Sequence, residues 1–430
     1  MKSSYPRAAR ALLLSFFLCL FSAKAFALSY VMMSDKDLLD TSPLLIRAQV
    51  AEVLSARSGP AGIESVYVLR VQEQFKGTQL PSMVRLVLPG GLLESGIGQV
   101  SYGIPKLQLG QTLLLFAQQR SDGSLQAQQL TMGMFFHSQH HGRDYYERAL
   151  SAEGDWGTGH NSRYHQARDV VRFEDWLRAA SSGKGSVKAD YFIDSQATNP
   201  WQKFNLLRGG NGNAIRWFQF DTDTPLNWVS TAVGQIGMVQ DEFAMITLAA
   251  NALTNDPGSR LTVTHAGGTI GSPDTHCDNG SSDGHAVLWN DPLNAIAGSY
   301  SCAMGGVLAQ GGPCFFTTST ISNGQPYNEA FEARIDIQDN AGCFFDGDGG
   351  LNGAEVMAHE MGHVIGLAHS CGDAETGSCA SAPAAEQMAT MRASAHGDSR
   401  GAAFMADDRA ALAFVYPGVA GPNIFANGFE

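Results

Sequence analysis

The sequence predicts an α+β protein with a β-rich N-terminal part and a C-terminal part that mixes a small sheet with helices. Two observations carry that expectation. Between residues 44 and 117, short apolar or alternating runs recur, separated by turn-forming Gly, Pro and Ser. Beyond residue 199, strand-like runs alternate with stretches whose apolar side chains repeat at helical spacing. The chain has 430 residues, more than one typical domain of roughly 100–200, so two domains are expected.

The N-terminus reads as an export signal. Lys2, Arg7 and Arg10 precede an apolar core, Ala11–Ser22, and Ala23-Lys24-Ala25 or Ala25-Phe26-Ala27 offers a small-x-small cleavage site. Residues 1–27 are therefore expected to be a signal peptide, and the protein to be secreted, to the periplasm or the outside. The apolar core is shorter than the roughly 20 residues that cross a bilayer. No other run approaches that length, so no membrane span is expected. Net charge is −13, and residues 1–27 carry four basic groups and no acid, so the exported chain is more acidic still. Such a surface argues against nucleic acid as a partner. Of seven cysteines, Cys19 leaves with the signal. The other six (Cys277, Cys302, Cys314, Cys343, Cys371 and Cys379) suggest three disulfides in an oxidising compartment, with Cys371–Cys379 the favoured pair.

Residues 28–190 form the β-rich N-terminal domain. Leu44–Val53, Val66–Val71, Val84–Leu88 and Thr112–Ala117 are its candidate strands, with turns at Ser58-Gly59-Pro60 and Pro89-Gly90-Gly91. Their spacing suggests a small barrel or sandwich. A propeptide, an inhibitor of the folded protein or an accessory binding domain would all suit it. His137, His140 and His141 cluster here, but no acid or cysteine stands at ligand spacing, so an exposed polar turn is the expected reading. Asp169–Ala180 places Val170, Phe173, Leu177 and Ala180 on one helical face, and the Ser/Gly stretch 181–186 serves as linker.

The second domain spans 199–417. Ala214–Phe220 reads as its first strand. Val239, Phe243, Ile246, Ala250 and Leu253 then mark a helix that Asn255-Asp256-Pro257-Gly258 stops. Arg260–Thr264, Gly305–Ala309 and Ala333–Ile337 are further strands. Residues 418–430 are a tail beyond the last helix, expected to be disordered.

The chemistry concentrates in His359-Glu360-Met361-Gly362-His363-Val364-Ile365-Gly366-Leu367-Ala368-His369. Histidines four apart on a helix share a face and can meet one zinc ion at about 2.0–2.1 Å. Gly366 can end the helix in a left-handed turn that delivers His369 as a third ligand. Three protein ligands leave a fourth position for water, as catalytic zinc requires. Glu360 stands beside the first ligand, close enough to serve as general base and acid. Asn352 and Glu355 are placed as a helix cap and its third-position partner.

This HExxHxxGxxH pattern resembles the metzincin clan of zinc endopeptidases, over roughly residues 200–417. The resemblance implies a small twisted mixed sheet, a zinc helix and a C-terminal subdomain with a methionine turn and a closing helix. Met391 in Ala389-Thr390-Met391-Arg392 is the better candidate for that methionine, with Met388 second. Arg392 stands where some of these families carry a tyrosine, so no tyrosine role is assigned. Met405–Pro417 is similar to the closing helix of matrixins, with Asp407 and Asp408 at its N-terminus. Gly306-Val307-Leu308-Ala309 resembles the edge strand on which those enzymes lay an extended peptide. The mature N-terminal half has no cysteine, which excludes latency by a cysteine on the metal. The six cysteines and the insert Gly267–Asp291 also depart from the compact matrixin plan.

The implied function is a secreted zinc endopeptidase acting on proteins or peptides. The alternative is a secreted binding or adhesion protein whose zinc is structural, for which His396 is the only later histidine left as a fourth ligand. Ca²⁺ is a second candidate cofactor, because Asp346-Gly347-Asp348-Gly349-Gly350-Leu351-Asn352 offers oxygens at alternating positions. Oligomeric state is not legible.

Overall fold

The computed structural model describes residues 29–140, 143–148, 150, 164, 166–183, 189–193, 204–270, 277, 284–373, 376, 379–396 and 398–418. The signal segment, His141, the His140 side chain, linker residues 184–186, the domain start at Asn199, much of the 267–291 insert and the tail beyond 418 lie outside these residues. The chain is α+β. Among the described residues, its strands form one ten-stranded and one nine-stranded sheet.

In the N-terminal half, Leu44–Val53, Gly62–Lys76, Met83–Pro89, Leu125–Ala127 and Thr112–Gln119 pair in a ring. Leu125–Ala127 joins both Met83–Pro89 and Thr112–Gln119, which closes a small barrel and removes its free edges. Alternation decides which side chains fill it. Ile46, Ala48 and Val50 pack inside with Leu69, Leu86, Leu113 and Leu115. Leu45, Leu114 and Phe116 point outward, onto Phe173, Trp176 and Leu177 of the helix Val170–Ser181. Asp169 caps that helix by accepting the Arg172 amide at 3.1 Å. The strand runs read from sequence are all present, and three of them extend further, to Gly62–Lys76, Met83–Pro89 and Thr112–Gln119.

The second sheet runs Val263–Ile270, Leu226–Thr231, His285–Leu288, Gln325–Ile337, Gly306–Ser322, Ile97–Gln99 and Gly91–Leu92. Its first pairings are parallel, and Gly306–Ser322 and Gln325–Ile337 form a long antiparallel hairpin. Ala214–Arg216 adds parallel to Gln325–Ile337. Helices Glu242–Thr254 and Leu351–Val364 pack together on this sheet, around a core that includes Trp217, Trp228, Met245, Ile335, Met357 and Met361. The Trp217 indole donates to the Val364 carbonyl at 2.9 Å, which seats the helix end.

Four local expectations need correction. The strand expected over 214–220 stops at Arg216, and residues 219–222 turn instead. Val239 is 86% exposed and precedes the helix, because Asp241 caps it by accepting from Phe243 and Ala244. The strand expected at 260–264 begins at Val263 and runs to Ile270. Asn352 is not the cap of the next helix, which starts at Leu351 behind Gly350 in a left-handed conformation. Glu355 turns away from that end to accept from His396 at 2.9 Å.

The expected edge strand is also not an edge. Gly306–Ser322 is flanked by Gln325–Ile337 on one side and by pieces of the N-terminal half on the other. Ser29–Val31 pairs antiparallel with Gly306–Ala309, and Ile97–Gln99 pairs antiparallel with Cys314–Phe316. Gln129 helps join the two halves, since its carboxamide oxygen accepts from the Val307 amide and its nitrogen donates to the Ser299 carbonyl.

Candidate metal centre

The helix Leu351–Val364 places His359 and His363 one turn apart on one face. Gly366, at φ 101°, then reverses the chain. The Leu367 amide donates to the Gly362 carbonyl and the Gly366 amide to the His363 carbonyl, a Schellman arrangement that satisfies the helix end. A Cβ at Gly366 would lie 2.4 Å from the Ile215 carbonyl oxygen, so both backbone angle and space demand glycine. The turn brings His369 back over the helix.

The three imidazoles meet at their Nε2 atoms. His359 Nε2 is 2.9 Å from His363 Nε2 and 3.1 Å from His369 Nε2. Each Nδ1 faces an oxygen acceptor: the Thr390 carbonyl at 2.9 Å from His359, the Leu367 carbonyl at 2.9 Å from His363, and Asp373 Oδ2 at 3.1 Å from His369. Those acceptors require a proton on every Nδ1, which leaves three Nε2 lone pairs aimed at one another. Burial pushes His359 down to about 3, with the neighbouring His369 adding to the effect. Burial likewise holds His363 well below its ordinary value. Converging and oriented by outer acceptors, this donor set fits a single zinc ion.

Among the described residues no fourth histidine, cysteine or carboxylate joins the trio. His396, weighed as a fourth ligand, is held instead by Glu355 and the Gln387 carbonyl. The other potential donor group, Cys277 with Cys314 and Glu332, has its two sulfurs joined in a disulfide. Cys302–Cys343 and Cys371–Cys379 form the remaining bridges, the latter as expected.

Glu360 lies on the same helix, buried against the strand Gly306–Ser322. Burial pushes its carboxyl up to about 7, against the opposing pull of the Ser29 hydroxyl and of the Ser29 and Gly311 amides. Ser29 Oγ donates to Glu360 Oε1 at 2.5 Å.

Beneath the histidines sits the loop Ala389–Arg392. Asp408, in the first turn of the closing helix Ala406–Val415, accepts from the amides of Thr390 (2.7 Å), Met391 (3.0 Å) and Met405 (2.7 Å). That clamp sets the Thr390 carbonyl under His359 and Met391 against Gly362, where a Cβ would stand 2.2 Å from the Met391 sulfur. Met391 is 2% exposed and Met388 45%, which selects Met391 as the floor of the site. Arg392 braces the loop through the Ser394 and Ala395 carbonyls.

Three residues at the site escaped the sequence reading: Ser29, Asp373 and Tyr102. Asp373 stands four residues after His369, a spacing that could have flagged it. Tyr102, from the N-terminal half, has no such signal. Its ring centroid is 4.9 Å from that of His363 and 5.3 Å from that of His369, and its hydroxyl lies 3.3 Å from Asp373 Oδ2.

The remaining candidates lie apart from the trio. His137 pairs across its hairpin with Asp144 at 3.3 Å, a partner that linear spacing did not reveal. In the proposed calcium loop, Asp346 accepts from the Val239 and Gln240 amides, and Asp348 takes the Ser399 hydroxyl. No protein-family model and no curated protein sequence matches this chain.

Proposed function

We propose that this protein is an exported zinc endopeptidase of the metzincin type. The observation that carries the reading is the convergence of three buried Nε2 atoms, each imidazole oriented from behind, with Glu360 buried on the same helix. Mutually facing lone pairs repel unless a cation occupies the space between them.

His359, His363 and His369 would hold the zinc, which when bound supplies a Lewis acid and brings the acidity of a water into the neutral range. Glu360 moves the proton. Its carboxyl would accept a proton at Oε and return it to the departing amine. Asp373, Thr390 and Leu367 keep the imidazole Nδ1 protons in place, which holds each Nε2 free for the metal. Met391 and the sheet keep bulk water from beneath the site. The strand Gly306–Ser322 would supply main-chain groups for an extended peptide only where its pairings with Ser29–Val31 and Ile97–Gln99 are released. Three disulfides suit an exported chain.

The test is chelator-sensitive hydrolysis of casein, restored by zinc, together with Glu360→Gln. The variant should retain zinc and lose activity by about 10²–10⁴-fold. Full activity in a metal-loaded Glu360→Gln protein would remove Glu360 as the proton carrier. Stoichiometric zinc with no hydrolysis of any protein substrate, even when the site is open, would leave the binding-protein alternative.

A further inference from the structure

We infer that the N-terminal half is a built-in latch, in which Ser29–Val31 and Ile97–Tyr102 occupy the peptide-binding strand and roof the histidine trio, keeping the protein latent until they leave. The inference rests on the peptidase reading of the same site and names its regulation.

The covering follows the strand on both sides of Glu360. Ser29, Tyr30 and Val31 face Ala309, Val307 and Gly306, and Ile97, Gly98 and Gln99 face Phe316, Phe315 and Cys314. The Val100 amide continues the second ladder by donating to the Pro313 carbonyl at 3.3 Å. Between these ladders Gly311 lies directly over the Glu360 carboxyl, its Cβ position 3.0 Å from Oε2. An extended substrate would claim the same main-chain groups, so substrate and cover exclude each other.

Two side chains complete the closure. Ser29 donates its hydroxyl to Glu360 Oε1, the atom the proposed reaction needs for a proton. Tyr102 lies over His363 and edge-on to His369, and accepts the His369 amide at 3.5 Å. His359, Glu360, His363 and His369 are each no more than 2% exposed, which admits neither a peptide nor free exchange of solvent. The strand is also shaped for its cover: a Cβ at Gly312 would lie 1.8 Å from the Val100 carbonyl oxygen. Glycine there permits the close approach of this particular segment. A chain with no cysteine in its exported N-terminal half thus achieves closure with a hydroxyl, a phenol and two strand pairings.

The test uses the full zinc-loaded chain and a tripeptide hydroxamate as probe. Hydrogen exchange is followed at Tyr30, Val31 and Gly98–Val100, with and without the probe. Binding should accelerate exchange at these amides, because the probe must displace them. A probe that binds while they keep their protection overturns the latch. In parallel, the Ser29→Ala/Tyr102→Ala full chain should bind the hydroxamate at least about tenfold more tightly and cleave casein correspondingly faster. Equal affinity and equal rate in the two proteins would also overturn it. A double variant that gains affinity for the probe but cleaves no protein keeps the latch and removes the peptidase reading instead.

Discussion

Asp373 Oδ2 lies 3.1 Å from His369 Nδ1, both side chains buried, so a carboxylate stands directly behind one of the three converging imidazoles. Such an outer partner fixes the tautomer and raises the basicity of the inner nitrogen. The other two histidines lean on carbonyl oxygens, which carry only partial charge. His369 is therefore the imidazole most strengthened from behind.

Asp373→Ala should weaken zinc retention by about 10–100-fold. Metal titration against a competing chelator reads this directly, with thermal unfolding as the control for folding. Unchanged zinc affinity in a folded variant would show that the carboxylate does not tune the site.

Gly366→Ala should cost about 3 kcal/mol or more. It combines backbone strain at φ 101° with a Cβ placed 2.4 Å from the Ile215 carbonyl. Urea unfolding of the metal-free chain measures the loss. A cost below about 1 kcal/mol would mean that the turn relaxes easily.

His285 gives the fold an acid-sensitive point away from the histidine trio. Burial pushes its imidazole down to about 4 from an ordinary 6.5, and its Nδ1 has no hydrogen-bond partner among the described residues. The unfolded chain takes up the proton first, so this contribution is complete above pH 6.5 and is lost as pH falls toward 4. The difference corresponds to roughly 3 kcal/mol over that window. His285→Phe, packed edge-on against Trp217 like the parent ring, should lose less stability between pH 7 and 5. Equal losses in the two proteins would place the acid sensitivity elsewhere.

The parts of this molecule written in local chemistry were legible in the sequence. The three histidines, Glu360 and Gly366 stand at offsets set by helix geometry and one left-handed turn, and the structure brings them together. Met391 was separable from Met388, and Cys371 was paired with Cys379 across a separation of 8 residues. Local signals were also overlooked. Asn323-Gly324, both at positive φ, join Ser322 to Gln325 in a two-residue hairpin turn, and that dipeptide marks the long hairpin whose strands were read as short ones. Asp241, an N-cap residue type just ahead of the apolar helix, signals a start that leaves Val239 outside.

Other contacts depend on distant chain. Tyr102 meets His369 across 267 residues, and Ser29 meets Glu360 across 331. Neither residue type announces such a contact. An apolar strand paired on both sides reads the same as one at an edge, so the sequence does not show that Gly306–Ala309 is already paired with Ser29–Val31.

The Cys302–Cys343 bridge has a mechanical meaning. It fastens the loop ahead of the strand Gly306–Ser322 to the short turn ahead of the helix Leu351–Val364. The wall and the floor of the cleft are thereby riveted at one end. If the covering segments leave as inferred above, this bridge would still tether the two sides at that end.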